Sequence, residues 1–272
     1  MVVAMSLARG TVKVAGRLVD MVAPPERGLT VLLYHRVGAR SGLEVDLPAD
    51  LFRSQMALLA ESGRATRLGD AIGMLTSGAM PADPPVVVTF DDGTSDVIDI
   101  ALPILAEFGI PATLYLATAF VDEQRDFPDD GRPASWAGLA DALASGLLSV
   151  GSHTHDHLLL DRVPVADATR QIDRSVELIG ERLMVRAEDF AYPKAIAASG
   201  PIAALVASRF RSAAVAGGGV NRAGADLYRL SRAPIQRSDG MRWFARKMDG
   251  GLALEGRLRD AASRFRYAGA RS

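Results

Sequence analysis

The 272-residue chain contains no cysteine. This excludes disulfide staples, thiolate metal sites and cysteine nucleophiles, so any metal must be held by histidine, carboxylate or water. An excess of either charge is also missing, since 31 basic and 32 acidic side chains leave a net charge of -1. Without a basic excess there is no electrostatic footprint for nucleic acid, and no nucleic-acid partner is expected. Nowhere is there the uncharged apolar run of about 18 residues that a membrane-spanning helix needs. Histidine is scarce, with four in the whole chain. What is present is a composition 49% hydrophobic and 23% charged, enough for a sizeable core. The length suits two small domains or one α/β barrel of about 250 residues, and the pattern along the chain decides between them.

The first residues are apolar, but Arg9, Lys13, Arg17 and Asp20 interrupt every candidate signal sequence, so export by a signal peptide is not expected. At helical spacing Leu7, Thr11, Val14, Ala15, Leu18, Met21 and Val22 gather on one side, opposite those four charged residues. Residues 1–24 are therefore expected to form an amphipathic helix with a mostly basic polar face. Such a helix either lies on a membrane surface or packs against the protein body, and packing is the commoner use.

From Gly28 to the end, short β-branched runs alternate with longer helix-period segments, the pattern of βα units around a mainly parallel sheet. Strands are expected at 30–34, 86–90, 112–116, 148–151, 189–192, 212–215 and 228–231. Helices are expected at 51–62, 97–108, 136–145, 167–183 and 201–208, several ended by a glycine such as Gly63, Gly109 or Gly146. No linker divides the chain, so residues 28–272 read as one domain. The polar stretch 122–133, with two prolines, reads as a surface loop.

Three of the four histidines fall in His153-Thr154-His155-Asp156-His157. On a helical turn the spacing of His153 and His157 would bring both rings to one ion, and neutral imidazole suits zinc and its neighbours. A second constellation is the apolar strand Val86 to Phe90 running into Asp91-Asp92-Gly93. Two carboxylates ending a buried strand require a cation, hydrogen-bond donors or solvent. Alternate residues of an extended chain face opposite ways, which lets one acid bind a metal while the other stays free as a base. Read alone, the acids could equally cap the next helix.

Thr89-Phe90-Asp91-Asp92-Gly93 followed by His153-Thr154-x-x-His157 resembles the polysaccharide deacetylase family, carbohydrate esterase family four. Leu102-Pro103-x-Leu105, Gly109-Ile110-Pro111-Ala112-Thr113, Ser135-Trp136 and Gly151-Ser152 extend the likeness over about residues 28–240. The resemblance implies a distorted (β/α)7 barrel of the NodB-homology type. It also implies Asp92, His153 and His157 as ligands of one divalent metal, Asp91 as general base, and Thr154 as a brace of the histidine loop. Zinc is the expected ion, although cobalt, nickel or iron(II) suits the same ligands. Hydrolysis of an amide needs a polarised carbonyl, an activated water and a proton donor, and the first two have candidates here.

The donor is displaced. In most of the family it is a histidine near the carboxyl terminus, but nothing after His157 is a histidine. His35, in Leu32-Leu33-Tyr34-His35-Arg36-Val37 after the first strand, is the remaining candidate. This arrangement resembles the branch acting on bacterial exopolysaccharide or holdfast, with the last motif moved to the front. A second departure is Phe190-Ala191-Tyr192-Pro193-Lys194-Ala195, where the family often has Phe-Arg-Pro-Pro-Tyr-Gly. Ala191 replaces the arginine that orients the base. Tyr192, Pro193 and Lys194 are carried over as substrate-binding candidates, the Lys194 backbone N–H serving an oxyanion. Arg232 is the candidate to fill the arginine's place.

The leading expectation is a metal-dependent hydrolase that removes N-acetyl groups from an N-acetylhexosamine polymer or its lipid-linked precursor. It would act in the cytoplasm, with peripheral contact to the inner membrane through the first helix. The same chemistry would serve a carbohydrate O-acetyl esterase. A catalytically silent sugar-binding or assembly protein on the same fold is the third reading, prompted by Lys194, Ala195 and the missing arginine.

Overall fold

The computed structural model describes residues 2–266, with side chains over residues 11–258 and at 261 and 262. Met1, residues 267–272 and the side chains of Leu7 and Arg9 thus lie outside the described part of the expected elements.

Seven parallel strands close into a barrel: β1 (Thr30–Tyr34), β4 (Val86–Phe90), β5 (Ala112–Leu116), β6 (Leu148–Ser152), β7 (Asp189–Ala191), β8 (Ser212–Ala216) and β9 (Leu230–Pro234). Closure comes from β9 pairing with β1 through Leu32 and Leu33 against Ala233 and Pro234. The ladder is thinnest between β6 and β7, held by the single pair Ser152 with Phe190, which gives the barrel its distortion. A small parallel pair, β2 (Arg36–Val37) with β3 (Asp46–Leu47), sits just past β1.

Strand residues alternate between two cores, as the pleat requires. Val31, Val87, Tyr115, Ala191 and Ala214 fill the barrel interior. Leu32, Val88, Phe90, Leu114 and Phe190 face outward beneath the helices. α2 (Ala49–Glu61), α4 (Leu102–Phe108), α6 (Trp136–Ala144), α7 (Val165–Leu183) and α8 (Gly200–Arg209) supply that outer layer. α3 (Leu68–Ser77), absent from the sequence reading, packs Leu68, Ile72 and Leu75 on the interior cluster. A short helix, α5 (Thr118–Asp122), follows β5, while α9 (Gly240–Met248) and α10 (Ala253–Arg266) follow β9.

Most expected elements match within a residue or two. One shift matters: the last strand runs over Leu230–Pro234, and Tyr228 belongs to a 3-10 turn at Leu227–Arg229. Pro234 is tolerated because it ends the strand. The expected helix over 97–108 begins as a π-helical turn at Val97–Ala101 before Pro103 enters the first turn of α4.

The first helix, α1 (Val2–Val22), is present. Its packing reverses what amphipathicity suggests, because the polar side faces the body. Lys13, 1% exposed, pairs with Asp239 Oδ1 at 2.6 Å and donates to Ser238 Oγ. Asp20 Oδ2 accepts from the Leu252 backbone N–H at 2.9 Å. Gly16 lies against Leu252, where an added Cβ would stand 3.1 Å from Leu252 Cδ2. No described helix is long and apolar enough to cross a membrane.

Candidate active site

Asp91, Asp92, His153, His157 and His35 converge at the carboxyl ends of β4, β6 and β1, where parallel barrels place their active sites. They line a cavity of about 180 Å³ together with Leu33, Val45, Lys194, Ala195, Ala216 and Pro234.

The two acids separate through a sharp turn rather than through extended alternation. Asp91 is buried and its backbone N–H donates to the Tyr34 carbonyl, continuing the β1–β4 ladder. Asp92 has φ 76° and Gly93 φ 104°, so the chain swings Asp92 toward the histidines. Gly93 is needed for a second reason: a Cβ there would come within 2.7 Å of Leu116 Cδ2.

The histidines meet by turns as well. His153 follows directly on β6, and residues 153–157 form no helix. Left-handed backbone at Thr154 (φ 64°) and His157 (φ 60°) folds the second ring back, placing the ring centroids 4.9 Å apart. Asp92 Oδ1 stands 3.7 Å from His153 Nε2 and 3.5 Å from His157 Nε2. The three ligand atoms lie within 4.8 Å of one another. Ligands of a tetrahedral zinc lie about 3.3–3.6 Å apart, so the donor set fits a divalent cation with little movement.

The surroundings favour metal-binding forms of these side chains. His153 Nδ1 lies 2.7 Å from the Ala191 carbonyl, an acceptor only, so Nδ1 carries the proton and Nε2 keeps its lone pair for the cluster. Burial and neighbouring His153 push His157 down to about 3, leaving it neutral at physiological pH. Burial opposes a charge on Asp92, yet the surrounding histidines and Lys194 hold its carboxyl well below the usual carboxylate range.

Asp91 is held by Arg232. The guanidinium grips both carboxylate oxygens, Nη1 to Oδ1 at 2.6 Å and Nη2 to Oδ2 at 2.8 Å. Because β9 runs to Pro234, Arg232 sits within the strand and points into the barrel, fully buried. Its Nε donates to the Val215 carbonyl, Nη1 also reaches Thr89 Oγ1, and Cζ stands 5.4 Å from the Tyr115 ring centroid. Burial raises the Asp91 carboxyl, but Arg232 more than offsets this and leaves it below its ordinary value. Arg232 thus lies beneath the Asp91 carboxylate and, unlike it, does not line the cavity.

His35, between β1 and β2, faces the same cavity; its Nδ1 is buried without a hydrogen-bond partner. Burial holds its pKa below the ordinary imidazole value, against the pull of Asp92 and Asp91. Next to it, Arg36 donates to the Pro128 and Asp129 carbonyls. The expected surface loop is therefore tied to the mouth.

Three sequence expectations land differently. Tyr192 and Pro193 are buried, with the Tyr192 ring edge-on to Phe190 at 5.1 Å, and neither lines the cavity. Lys194 and Ala195 do line it, with φ of 53° and 60°. The Thr154 hydroxyl has no partner, and the brace comes instead from Thr154's backbone, whose carbonyl accepts from Thr118 N–H. Gln171 of α7 adds bonds to the His155 and Asp156 backbone and to the Asp156 carboxylate. Sequence reading took Gly151 only as part of the family likeness and Tyr115 only as a strand residue, and missed how the two fit together. A Cβ at Gly151 would meet Tyr115 Cδ1 and the Asp189 carbonyl, each at 2.6 Å, so Gly151 makes room for the ring under Arg232.

Fold and site together define a seven-stranded barrel protein with a two-histidine, one-aspartate candidate cation site beside an arginine-held carboxylate. The sequence profile of the Polysaccharide deacetylase family matches residues 79–206, and over that stretch the chain is similar to that family. A putative polysaccharide deacetylase of Bacillus subtilis (strain 168), YxkH, is 26% identical over 166 residues, 61% of this chain. The match spans 56% of that relative's length. IcaB from Ammonifex degensii is similar with a TM-score of 0.72 at 26% identity, covering 82% of this chain and 98% of that one. The Streptococcus pyogenes deacetylase PplD shares the fold, with a TM-score of 0.71 at 20% identity over 82% of this chain and 99% of its own.

Proposed function

We propose that this protein is a metal-dependent hydrolase that removes N-acetyl groups from an N-acetylhexosamine polysaccharide or its lipid-linked precursor. The observation that carries the reading is the division of labour between adjacent acids: Asp92 faces two histidines, while Asp91 is gripped by Arg232 beside the same cavity. A divalent ion, zinc by its donor set, held by Asp92, His153 and His157 would polarise the acyl carbonyl and acidify water.

The chain's own residues supply the rest. Asp91 takes the proton of the attacking water at its carboxylate, and Arg232 fixes the plane of that carboxylate through two charge-assisted bonds. The backbone N–H of Lys194, a residue lining the cavity, would receive the developing oxyanion. His35 delivers a proton to the departing nitrogen, without which an amine is a poor leaving group. Leu33, Val45 and Pro234 line the cavity with apolar surface suited to an acetyl methyl. The match to the polysaccharide deacetylase profile supports both a polysaccharide substrate and the acetyl group.

The deciding experiment measures acetate release from N-acetylglucosamine oligomers by zinc-reconstituted protein, beside Asp91→Asn and His35→Ala. Release that falls in both variants while bound zinc is unchanged is the expected result. Full turnover by the Asp91→Asn protein would sink the mechanism.

A further inference from the structure

The first helix is inside out for a packing element. Its polar side is spent on the body, through Lys13 to Asp239 and Asp20 to the Leu252 N–H. The opposite side stands in solvent: Leu18 is 58%, Met21 65% and Val22 89% exposed, with Val14 and Val19 about half exposed beside them. A helix held only by desolvation would turn this stripe inward. Here the buried Lys13–Asp239 pair, joined by Lys247 Nζ at 2.8 Å from Asp239 Oδ2, fixes the opposite orientation.

We infer that α1 and α10 form a docking surface for an anionic lipid bilayer. Charge argues for the lipid's sign. α10 packs along α1, and because Glu255 is buried on Lys247, the exposed charge among the described side chains of α10 is the basic Arg257. Arg257 and Leu258 are exposed on that helix, so apolar and basic side chains sit on the same helix pair in a chain whose net charge is -1. This combination is what an interfacial element uses: apolar side chains enter the acyl boundary and arginines meet the phosphates. Area argues against a second protein. A stable protein interface buries about 800 Å² per partner over some 20–30 residues, and the five exposed apolar side chains among the described residues of α1 fall well short. A bilayer instead rewards each inserted side chain separately.

The test is co-sedimentation of the full chain with vesicles of phosphatidylcholine alone or of phosphatidylcholine with phosphatidylglycerol. Binding is expected to the anionic vesicles, weakening as salt rises. A Leu18→Glu/Met21→Glu protein should partition about tenfold or more less strongly, and Arg257→Glu should also weaken binding. Circular dichroism would confirm that these exposed substitutions leave the fold intact, and turnover of soluble oligomers should stay at the native level. Equal recovery of the native chain from anionic and neutral vesicles would overturn the inference. So would a dimer in lipid-free solution that Leu18→Glu/Met21→Glu dissociates, since the ridge would then belong to a second copy. The inference does not depend on the catalytic reading: vesicle binding is scored without substrate, and acetate release is scored without vesicles.

Discussion

Two buried acid–base clusters lie at opposite purposes in this molecule. In one, Arg232 holds Asp91 at the wall of a cavity also lined by Asp92 and the histidines. In the other, Asp239 lies between Lys13 and Lys247, with Lys247 also donating to the Pro234 carbonyl and pairing with Glu255. Both require desolvating charges, which is tolerable only when partners are close and complete. The difference is access. Asp91 borders the cavity, whereas Asp239 is enclosed and ties α1 and α9 together. A buried charge is thus a sign of chemistry when it borders a cavity, and of architecture when it does not.

Substitutions that act on only one cluster sharpen this contrast. Asp92→Asn should abolish acetate release and lose stoichiometric zinc by elemental analysis; retained zinc would move the metal site elsewhere. Asp91→Asn and His35→Ala should lower kcat/KM by about 10²–10⁴-fold with zinc retained. Arg232→Lys keeps the charge but loses the two-point grip, and about a 10- to 100-fold fall in kcat with little change in KM is expected. A purely structural role for Arg232 would instead appear as a lower melting temperature at unchanged kcat.

The closed cluster should respond in the other currency. Asp239→Asn leaves two buried ammonium groups short of a partner and should cost about 3–5 kcal/mol in urea unfolding, while kcat of the folded protein holds. Its pH dependence has a definite sign. Burial raises the Asp239 carboxyl, but Lys247 and Lys13 more than offset this and hold it below its ordinary value. Its contribution to stability is therefore complete above the unfolded value of about 4 and drains away as pH falls through the folded value. Asp239→Asn should flatten that acid limb of the stability curve. An unchanged limb would assign acid sensitivity to other carboxylates.

The same contrast explains what sequence reading could reach. The barrel was legible because most strands are short β-branched or apolar runs and their order follows the chain. Asp91, Asp92, His153 and His157 were legible because they come as two short clusters at strand ends. Arg232 was a weak candidate, since its partner is 141 positions away and the late strand was placed two residues early. Helical periodicity located α1 and sorted its two faces but did not say which of them meets the body, because Lys13 meets an aspartate 226 positions further on. The histidine pair was expected on a helical turn; left-handed residues at Thr154 and His157 do that work, and spacing alone does not reveal backbone sign.

The seam where β9 meets β1 also sets a timetable. Asp92, His153 and His157 have all been synthesised by residue 157, and His35 long before, yet Arg232 arrives on the last strand, which alone can join β8 to β1. A chain emerging from the ribosome can therefore gather Asp92, His153 and His157 well before Asp91 is gripped by Arg232 and before the barrel has a wall on that side. Closure of the barrel and the two-point grip on Asp91 therefore arrive together, in one late step of synthesis.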